Sequence, residues 1–249
     1  MTIKKEEVIS QGIVLNSQPY KENDALITVY FKDYGKMTLI ARGVKKLKSK
    51  NASAVQSLTY SEFTFIARNG LSLLIKATSL DYYRHIKEDI FLEAYATYFM
   101  EFVLKNEEDN QPNQEIYDNL KRSLDALNNG YSYKLVYLLY LAFMLKICGA
   151  PLQVDECVRC FRKNHIIAIS LQDGGFVCSH CASFNDKRLD KNVLKAFRHI
   201  NKYSILDIDK ISLDENVMDE LIDIMDYYVD EFTGLLLKSR KFIKQLSKL

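Results

Sequence analysis

The feature that most constrains the fold is a change in hydrophobic periodicity near residue 80. Before that point, short runs rich in β-branched and aromatic residues are separated by turn residues, which is typical of strands. These runs cover residues 8–16, 25–31, 36–42, 58–67 and 71–79. The fourth run alternates with period two, so Ser61, Phe63 and Phe65 should share one face of their strand.

Two short segments carry strong turn signals. Asn69-Gly70 stands between two of the runs, and both residues tolerate positive φ, which predicts a tight hairpin. The sequence KDYGK at 32–36 predicts a second hairpin, with Gly35 in the left-handed conformation. Five strands joined mainly by tight turns indicate a small closed barrel, and the common barrel of that size is the five-stranded oligonucleotide-binding (OB) fold. An SH3-like barrel would give the same pattern and stays open.

After residue 80 the periodicity becomes that of helices. Helical segments are predicted at 84–109, 113–130, 131–149 and 213–249, and the third is apolar almost all round, as expected of a helix buried on every side. The fold class is therefore α+β and multidomain. We expect an OB-fold domain at residues 1–80 and a helical domain at 81–249, with a zinc-finger insertion at about 155–183.

That insertion is predicted from two C-x-x-C pairs, CVRC at 157–160 and CSHC at 178–181. Cys157, Cys160, Cys178 and Cys181 have the spacing of a four-thiolate zinc site, in which each pair grips the ion from a tight turn. The intervening segment predicts a short strand, a DGG turn and a return strand, as in a zinc ribbon. His165 or His180 could replace a thiolate. Four thiolates close the coordination sphere, so one structural Zn²⁺ per chain is expected.

The charge of the chain is unevenly distributed. Residues 1–80 contain 12 Lys or Arg and 6 Asp or Glu, giving +6, whereas residues 81–249 contain 22 and 26, giving −4. The stretch RGVKKLKSK at 42–50 holds five cations and no carboxylate. Such a run is either a solvated loop or a binding surface for a polyanion, and the asymmetry of the chain favours the polyanion.

Several classes of protein are disfavoured by what the sequence lacks. The first ten residues do not resemble a secretory signal, and the longest apolar run, 135–145, is too short to cross a bilayer, so a cytoplasmic protein without membrane association is expected. We find no phosphate-binding loop, dinucleotide fingerprint, nucleophile elbow or metalloprotease motif. We therefore predict that the protein is not an enzyme, and four-thiolate ligation argues against a zinc hydrolase.

The order of these elements, together with local motifs, resembles the bacterial RecO family of recombination mediators and DNA repair proteins. The most specific segments are the G-x-V-L opening at Gly12, YKEND at 20–24, Gly35-Lys36, and the ARGxKKxKS run at 41–49. The resemblance implies binding of single- and double-stranded DNA and annealing of complementary strands. It also implies contact with the C-terminal tail of single-stranded DNA-binding protein, and action with RecR to load recombinase. The alternative is a non-enzymatic, zinc-containing interaction scaffold that does not bind DNA.

The candidate DNA-binding residues follow from the basic run and its position after the third strand of an OB barrel. There the run would form a mobile loop beside the nucleic-acid face. The predicted phosphate contacts are Arg42, Lys45, Lys46, Lys48 and Lys50, extended by Lys21 and Lys36 in neighbouring turns. Candidates for stacking on bases are Tyr20, Tyr30, Phe31 and Tyr34. On DNA, such a protein would be associated with the nucleoid.

Overall fold

In the computed structural model, which describes residues 7–68 and 70–246, the first five strands close into a barrel. They are β1 (Glu7–Tyr20), β2 (Asp24–Phe31), β3 (Gly35–Ala41), β4 (Tyr60–Ile66) and β5 (Ser72–Asp81). Around the barrel the order is β1-β2-β3-β5-β4, with β3 and β5 parallel and the other neighbours antiparallel. This order differs from that of a simple meander and confirms the predicted OB-like barrel.

The barrel core consists of the inward-facing residues of each strand. In β4, Ser61, Phe63 and Phe65 are buried, which confirms the predicted alternation. Phe31 of β2 contacts both aromatic rings, with centroid distances of 5.4 Å to Phe63 and 4.9 Å to Phe65. The hairpin between β4 and β5 is antiparallel as predicted, although Asn69 of its turn lies outside the described residues.

Two glycines of the barrel stand where a larger residue could not. A Cβ on Gly12 would lie 2.6 Å from the side chain of Val29, so the packing of β1 on β2 requires its absence. Gly35 has φ +67°, as predicted, and a Cβ there would lie 2.3 Å from the carbonyl oxygen of Gln111. The turn before β3 thus needs glycine for its conformation and for a close backbone approach.

The barrel belongs to a compact unit formed by the residues up to Asn129 and those from Leu237 onward. Its helices are α1 (Arg84–Lys87), α2 (Ile90–Asn106), α3 (Gln114–Asn128) and α7 (Ser239–Leu246). The first predicted helical segment is interrupted because the side chain of Asp89 accepts hydrogen bonds from the first turn of α2. Helix α7 is attached to α2 through Glu101, whose carboxylate accepts bonds from the N–H of Lys238 at 2.9 Å and of Ser239 at 2.8 Å.

The second compact unit, Gly130–Leu236, contains α4 (Tyr133–Ile147), α5 (Lys191–Lys202), a 3₁₀ helix (Ile205–Lys210) and α6 (Glu215–Thr233). Helix α4 is buried over most of its surface, as predicted, and the hydroxyl of Tyr137 donates to Asp226 of α6 at 2.7 Å. The sequence reasoning missed α5, although Val193, Phe197 and Ile200 recur at helical spacing.

A small three-stranded sheet lies between α4 and α5 in the chain. It consists of β6 (Ile166–Ser170), β7 (Gly175–Cys178) and β8 (Lys187–Arg188), in the order β7-β6-β8. The predicted strand, turn and return strand are therefore present, and Gly174 adopts φ +72° in the turn. The third strand was not predicted from the sequence.

The change from strands to helices falls between Asp81 and Arg84. A domain boundary at residue 80 stays a prediction. Over residues 7–68 and 70–246, no helix combines the length and the apolar character needed to cross a membrane.

Candidate nucleic-acid interface and metal centre

The basic run forms a loop that leaves the barrel after β3. All five cations, Arg42, Lys45, Lys46, Lys48 and Lys50, are exposed, and within the described residues none of them forms an ion pair. None of these charges is therefore held in a direct ion pair with a carboxylate in that part of the chain.

Hydrogen bonds fasten the loop to the barrel near both ends, contrary to the expected mobility. At the first end, Gly43 N–H donates to the carboxylate of Asp24 at 2.8 Å, and Lys45 N–H donates to the carbonyl of Asn23 at 3.1 Å. Between these contacts, Val44 is buried in the barrel core. The backbone of the loop is consequently held against the barrel at this end, whereas the side chains of the cations around Val44 are exposed.

At the other end, the side-chain amide of Asn51 pairs with the backbone of β5. Its oxygen accepts a bond from Ala77 N–H at 3.1 Å, and its nitrogen donates to the carbonyl of Ile75 at 3.4 Å. The two hydrogen bonds resemble those that the backbone of a neighbouring β-strand would make with β5. They place Lys50 beside β5.

The first end of the loop borders a concavity of about 510 Å³. Lys21, from the turn between β1 and β2, lines it together with Arg42 and Lys46, so this turn lies beside the basic loop. Lys21 adopts φ +54°, and its ammonium lies over the ring of Tyr20 at 5.4 Å from the centroid. Glu22 and Asp24 also line the concavity, so its charge is mixed.

The second end borders a concavity of about 660 Å³, which the sequence reasoning missed. Lys50 and Lys76 line it, no carboxylate of the described residues does, and the half-exposed side chains of Tyr82 and Ile75 contribute apolar surface. The Tyr82 hydroxyl donates to Ser53 Oγ of the loop at 3.1 Å. Lys76 next to Ile75 in β5, with Tyr82 directly after the strand, was the available signal, but the sequence does not reveal that the loop lies beside this strand.

Lys36 is placed differently from the other predicted contacts. Its ammonium donates to the carbonyl oxygens of Leu104 at 3.0 Å and Glu107 at 2.5 Å, and lies 3.4 Å from the carboxylate of Asp109. Its side chain is only 15% exposed. The charge of Lys36 therefore binds the C-terminal end of α2 to the barrel, as expected for a cation at a helix C-terminus, and we leave it out of the candidate DNA surface.

Replacing Lys36 by Met should destabilise the protein without changing its affinity for DNA. The substitution leaves two carbonyls without their charged donor, which should lower the free energy of unfolding by about 1–3 kcal/mol. Chemical denaturation measures the first effect, and titration of DNA at several salt concentrations measures the second. A flatter salt dependence at unchanged stability would contradict this placement.

The structure also limits the candidates for base stacking. Tyr30 and Phe31 are fully buried, and the Tyr30 hydroxyl donates to Glu107 at 2.7 Å, so neither ring can stack on a base in this fold. Tyr34 packs edge-on against Phe31. Of the four candidates, Tyr20 retains a partly exposed ring beside a cation.

The four cysteines of the two C-x-x-C pairs meet at one point. All four sulfur atoms lie within 4.8 Å of one another, and the Sγ atoms of Cys160 and Cys178 are 3.6 Å apart. That distance is too long for a disulfide, whose S–S bond is about 2.05 Å. It matches the edge of roughly 3.8 Å in a tetrahedron of thiolates at 2.3 Å from a central ion. The cluster can therefore bind a metal ion.

Within the cluster the pKa values of the sulfurs move in opposite directions: those of Cys157 and Cys178 are lowered, whereas hydrogen bonding to Cys160 and burial raise the pKa of Cys181 to about 12. Burial by itself raises the pKa of Cys157, but backbone hydrogen bonds from Cys178, Arg159 and Cys160 outweigh it and lower the pKa to about 6. A stabilised thiolate is the form that binds a metal. His165 and His180, the alternative ligands, are exposed and do not belong to the cluster of potential ligands. Cys148 also lies outside it and is half-buried rather than buried.

Arg159 links the two cysteine turns, a role that the sequence did not reveal. From between Cys157 and Cys160 it donates to the carbonyl of Cys181 at 2.8 Å and to both carboxylate oxygens of Asp186 at 2.7 and 2.8 Å. The pairing with Arg159 lowers the pKa of Asp186 to about 2. The guanidinium group of Arg159 thus holds the two cysteine turns together around the sulfurs.

Comparison with known families finds two matching models. Residues 4–83 match a model described as the N terminal part of recombination protein O, and residues 87–241 match one described as its C terminal part. The junction between the two matches coincides with the change from strands to helices.

Individual relatives are similar along nearly the whole chain. The DNA repair protein RecO of Listeria monocytogenes serotype 4a (strain HCC23) is 33% identical over 240 residues, covering 96% of this chain and 94% of the relative. That of Bacillus pumilus (strain SAFR-032) is 31% identical over 242 residues, with the same coverage. That of Bacillus mycoides (strain KBAB4) is 30% identical over 240 residues, covering 96% and 97%.

Proposed function

The chain belongs to the RecO family of DNA repair and recombination proteins, and we propose that it binds single- and double-stranded DNA and anneals complementary strands. The observation that carries this proposal is the basic loop, whose five exposed cations are held against an OB-like barrel. OB barrels bind single strands through a positively charged groove that follows the backbone. Each cation that meets a phosphate releases a counterion, which drives binding.

Within this proposal, the cations form two groups that contact one bound DNA strand. Lys21, Arg42 and Lys46 surround the first concavity, and Lys50 and Lys76 line the second. Exposed Lys48 lies between the two groups in the chain, and exposed Lys45 directly precedes Lys46 of the first group. The second concavity adds the Tyr82 ring, which could receive a base while the lysines neutralise phosphates.

The proposed partners are those of a recombination mediator. The protein would act with RecR to help load recombinase onto DNA that single-stranded DNA-binding protein covers, and it would contact the acidic C-terminal tail of that protein. It would work in the cytoplasm, associated with the nucleoid when on DNA. Membership in the family supports these partners, and we assign none of them to particular residues.

We assign the cysteine cluster to one structural Zn²⁺ per chain. Four thiolates in tetrahedral arrangement favour zinc, and they leave no open position for a catalytic water. The ion would hold the two turns together, so that its role is to stabilise the ribbon of β6, β7 and β8. The bound metal would take no part in a reaction.

The protein should anneal complementary strands without nucleotide and without added metal. Annealing requires only charge neutralisation and exposed bases, and the sequence has no phosphate-binding loop for ATP. Fluorescence-quenching assays with complementary oligonucleotides measure the annealing rate. ATP hydrolysis that co-purifies with the protein and scales with its concentration would contradict this prediction.

A titration of single-stranded DNA across salt concentrations separates this function from that of a scaffold that does not bind DNA. The proposed mediator should bind with a steep inverse dependence on salt, because its contacts are mainly to phosphates. Weak binding that does not respond to salt would favour the scaffold.

A further inference from the structure

A second exposed basic and aromatic segment lies in the ribbon, directly after the first cysteine turn. Every residue from Phe161 to His165 is exposed. The segment is nevertheless held in place, because Phe161 N–H donates to the carbonyl of Cys157 at 2.9 Å and Cys157 N–H donates to that of Arg162 at 2.8 Å. At its other end, Ser179 N–H donates to the carbonyl of His165 at 2.9 Å. We call residues 161–165 the knuckle loop.

Phe161 occupies a position that favours glycine. Its φ is +61°, in the left-handed region, where a side chain is strained. The corresponding residue of the second cysteine turn is Ala182, whose N–H makes the same bond to Cys178 at 2.9 Å without a positive φ. The Phe161 ring is 68% exposed, so packing in the ribbon core does not account for it. A strained, exposed aromatic residue points to a contact outside the chain.

The charges beside this ring indicate what kind of molecule it contacts. Arg162 and Lys163 follow it directly, are exposed, and form no ion pair within the described residues. The nearest carboxylates along the chain are Glu156 before the turn and Asp173 after β6. The matching ligand carries planar rings and closely spaced negative charges, and single-stranded nucleic acid has both.

We infer that the knuckle loop is a second binding site for single-stranded nucleic acid, in which Phe161 stacks on a base while Arg162 and Lys163 contact phosphates. It belongs to the compact unit that does not contain the barrel, so each of the two units would carry a surface for single-stranded nucleic acid. Two surfaces on one chain suit annealing, in which two strands must be held. A role of the knuckle loop in annealing rests on the proposed annealing function, whereas its binding of single-stranded nucleic acid does not.

Photo-crosslinking of the full-length protein, purified without chelator, tests the location of this site. An oligonucleotide of thymidines with one 5-iododeoxyuridine serves as the probe, and mass spectrometry identifies the modified residue. Crosslinking at Phe161 is expected. Phe184 is the internal control, because it is fully exposed in the same ribbon but has Ser183 and Asn185 as neighbours. Crosslinks confined to the barrel would overturn the inference.

Substitutions test the contribution of each group to binding. The background for this test is a variant in which Arg42, Lys45, Lys46, Lys48 and Lys50 are changed to Ala. In that background, Phe161→Gly should weaken the remaining affinity for single-stranded DNA by roughly 5- to 150-fold, the loss expected for one stacked base. Its thermal midpoint should be unchanged or raised, because glycine relieves the positive φ, and a loss of binding could then not be attributed to unfolding. Unchanged binding of DNA by Phe161→Gly would contradict the inference.

The charge contribution has a matched control in the same compact unit. The double variant Arg162→Ala, Lys163→Ala should lose binding and slow annealing, whereas Lys191→Ala, Lys195→Ala, which removes two exposed cations of α5, should do neither. Equal losses in both would mean that only net charge matters and would overturn the site. If the knuckle variants instead lose a protein partner while DNA binding persists, the loop is a protein contact. The two proposals can fail independently. If the variant with Arg42, Lys45, Lys46, Lys48 and Lys50 changed to Ala keeps an unchanged salt dependence, the proposed barrel surface is wrong. Crosslinking at Phe161 would still support the knuckle loop in that case.

Discussion

Removal of the metal should open the ribbon from about residue 155 to residue 188 while the barrel stays folded. The hydrophobic cluster of the ribbon has only four buried members, Cys157, Ala168, Val177 and Cys178, and two of them are metal ligands. Such a small core cannot order the two cysteine turns without the ion, although buried Ile169 and Phe176, which packs on Phe197 of α5, should keep part of β6 and β7 attached to their unit. Structural zinc contributes about 10–16 kcal/mol in zinc-finger peptides, which is the largest effect expected here.

A pair of cysteine variants makes this prediction specific. Cys178→Ser should reduce the metal content from one equivalent of zinc to almost none and should increase hydrogen exchange in β6 and β7. Cys148→Ser changes the fifth cysteine, which lies outside the cluster, and should retain both metal and protection. Elemental analysis and hydrogen exchange measure the two properties. The prediction fails if unmodified protein purified without chelators holds less than about a tenth of an equivalent of zinc while β6 and β7 stay protected from exchange, because the ribbon would then be ordered without the ion.

Changing Arg42, Lys45, Lys46, Lys48 and Lys50 together to Ala should flatten the salt dependence of binding to single-stranded DNA. Each phosphate contact contributes about −0.7 to the slope of log affinity against log salt, so five contacts contribute roughly −3.5. Affinity should fall for every sequence alike, since phosphate contacts position the strand without reading its bases. A single Lys→Ala change should have only a modest effect.

The structure predicts that this fivefold variant keeps its fold and the position of its loop. The attachments of the loop use backbone atoms of Gly43 and Lys45, the side chain of Asn51, and buried Val44, and the substitutions remove none of these. Circular dichroism and thermal unfolding verify the fold. Replacing the four lysines by Arg instead retains the charge and should retain the slope. If the Ala variant is folded and its slope is unchanged, the run is a solvated loop.

Local signals in the sequence suffice to predict several elements of the fold. The barrel strands follow from period-two alternation such as that of Phe63 and Phe65, and the turn before β3 follows from Gly35. The cysteine cluster follows from C-x-x-C spacing, because two residues between cysteines suffice to aim both sulfurs at one ion. These signals depend on residues within a few positions of one another, so they can be read without knowledge of the rest of the fold.

Which of several chemically similar residues are available to a ligand depends on the tertiary structure and could not be predicted from the sequence. Lys36 and Lys46 are both lysines close to β3, yet the first is covered by the end of α2 and the second is exposed. Tyr30 is buried and donates a hydrogen bond to Glu107. Tyr82 is half-exposed and lines the same concavity as Lys50, a residue 32 positions earlier in the chain. Exposure and proximity of this kind arise from contacts between segments distant in sequence. The periodicity of a single segment carries no information about which other segment will cover it.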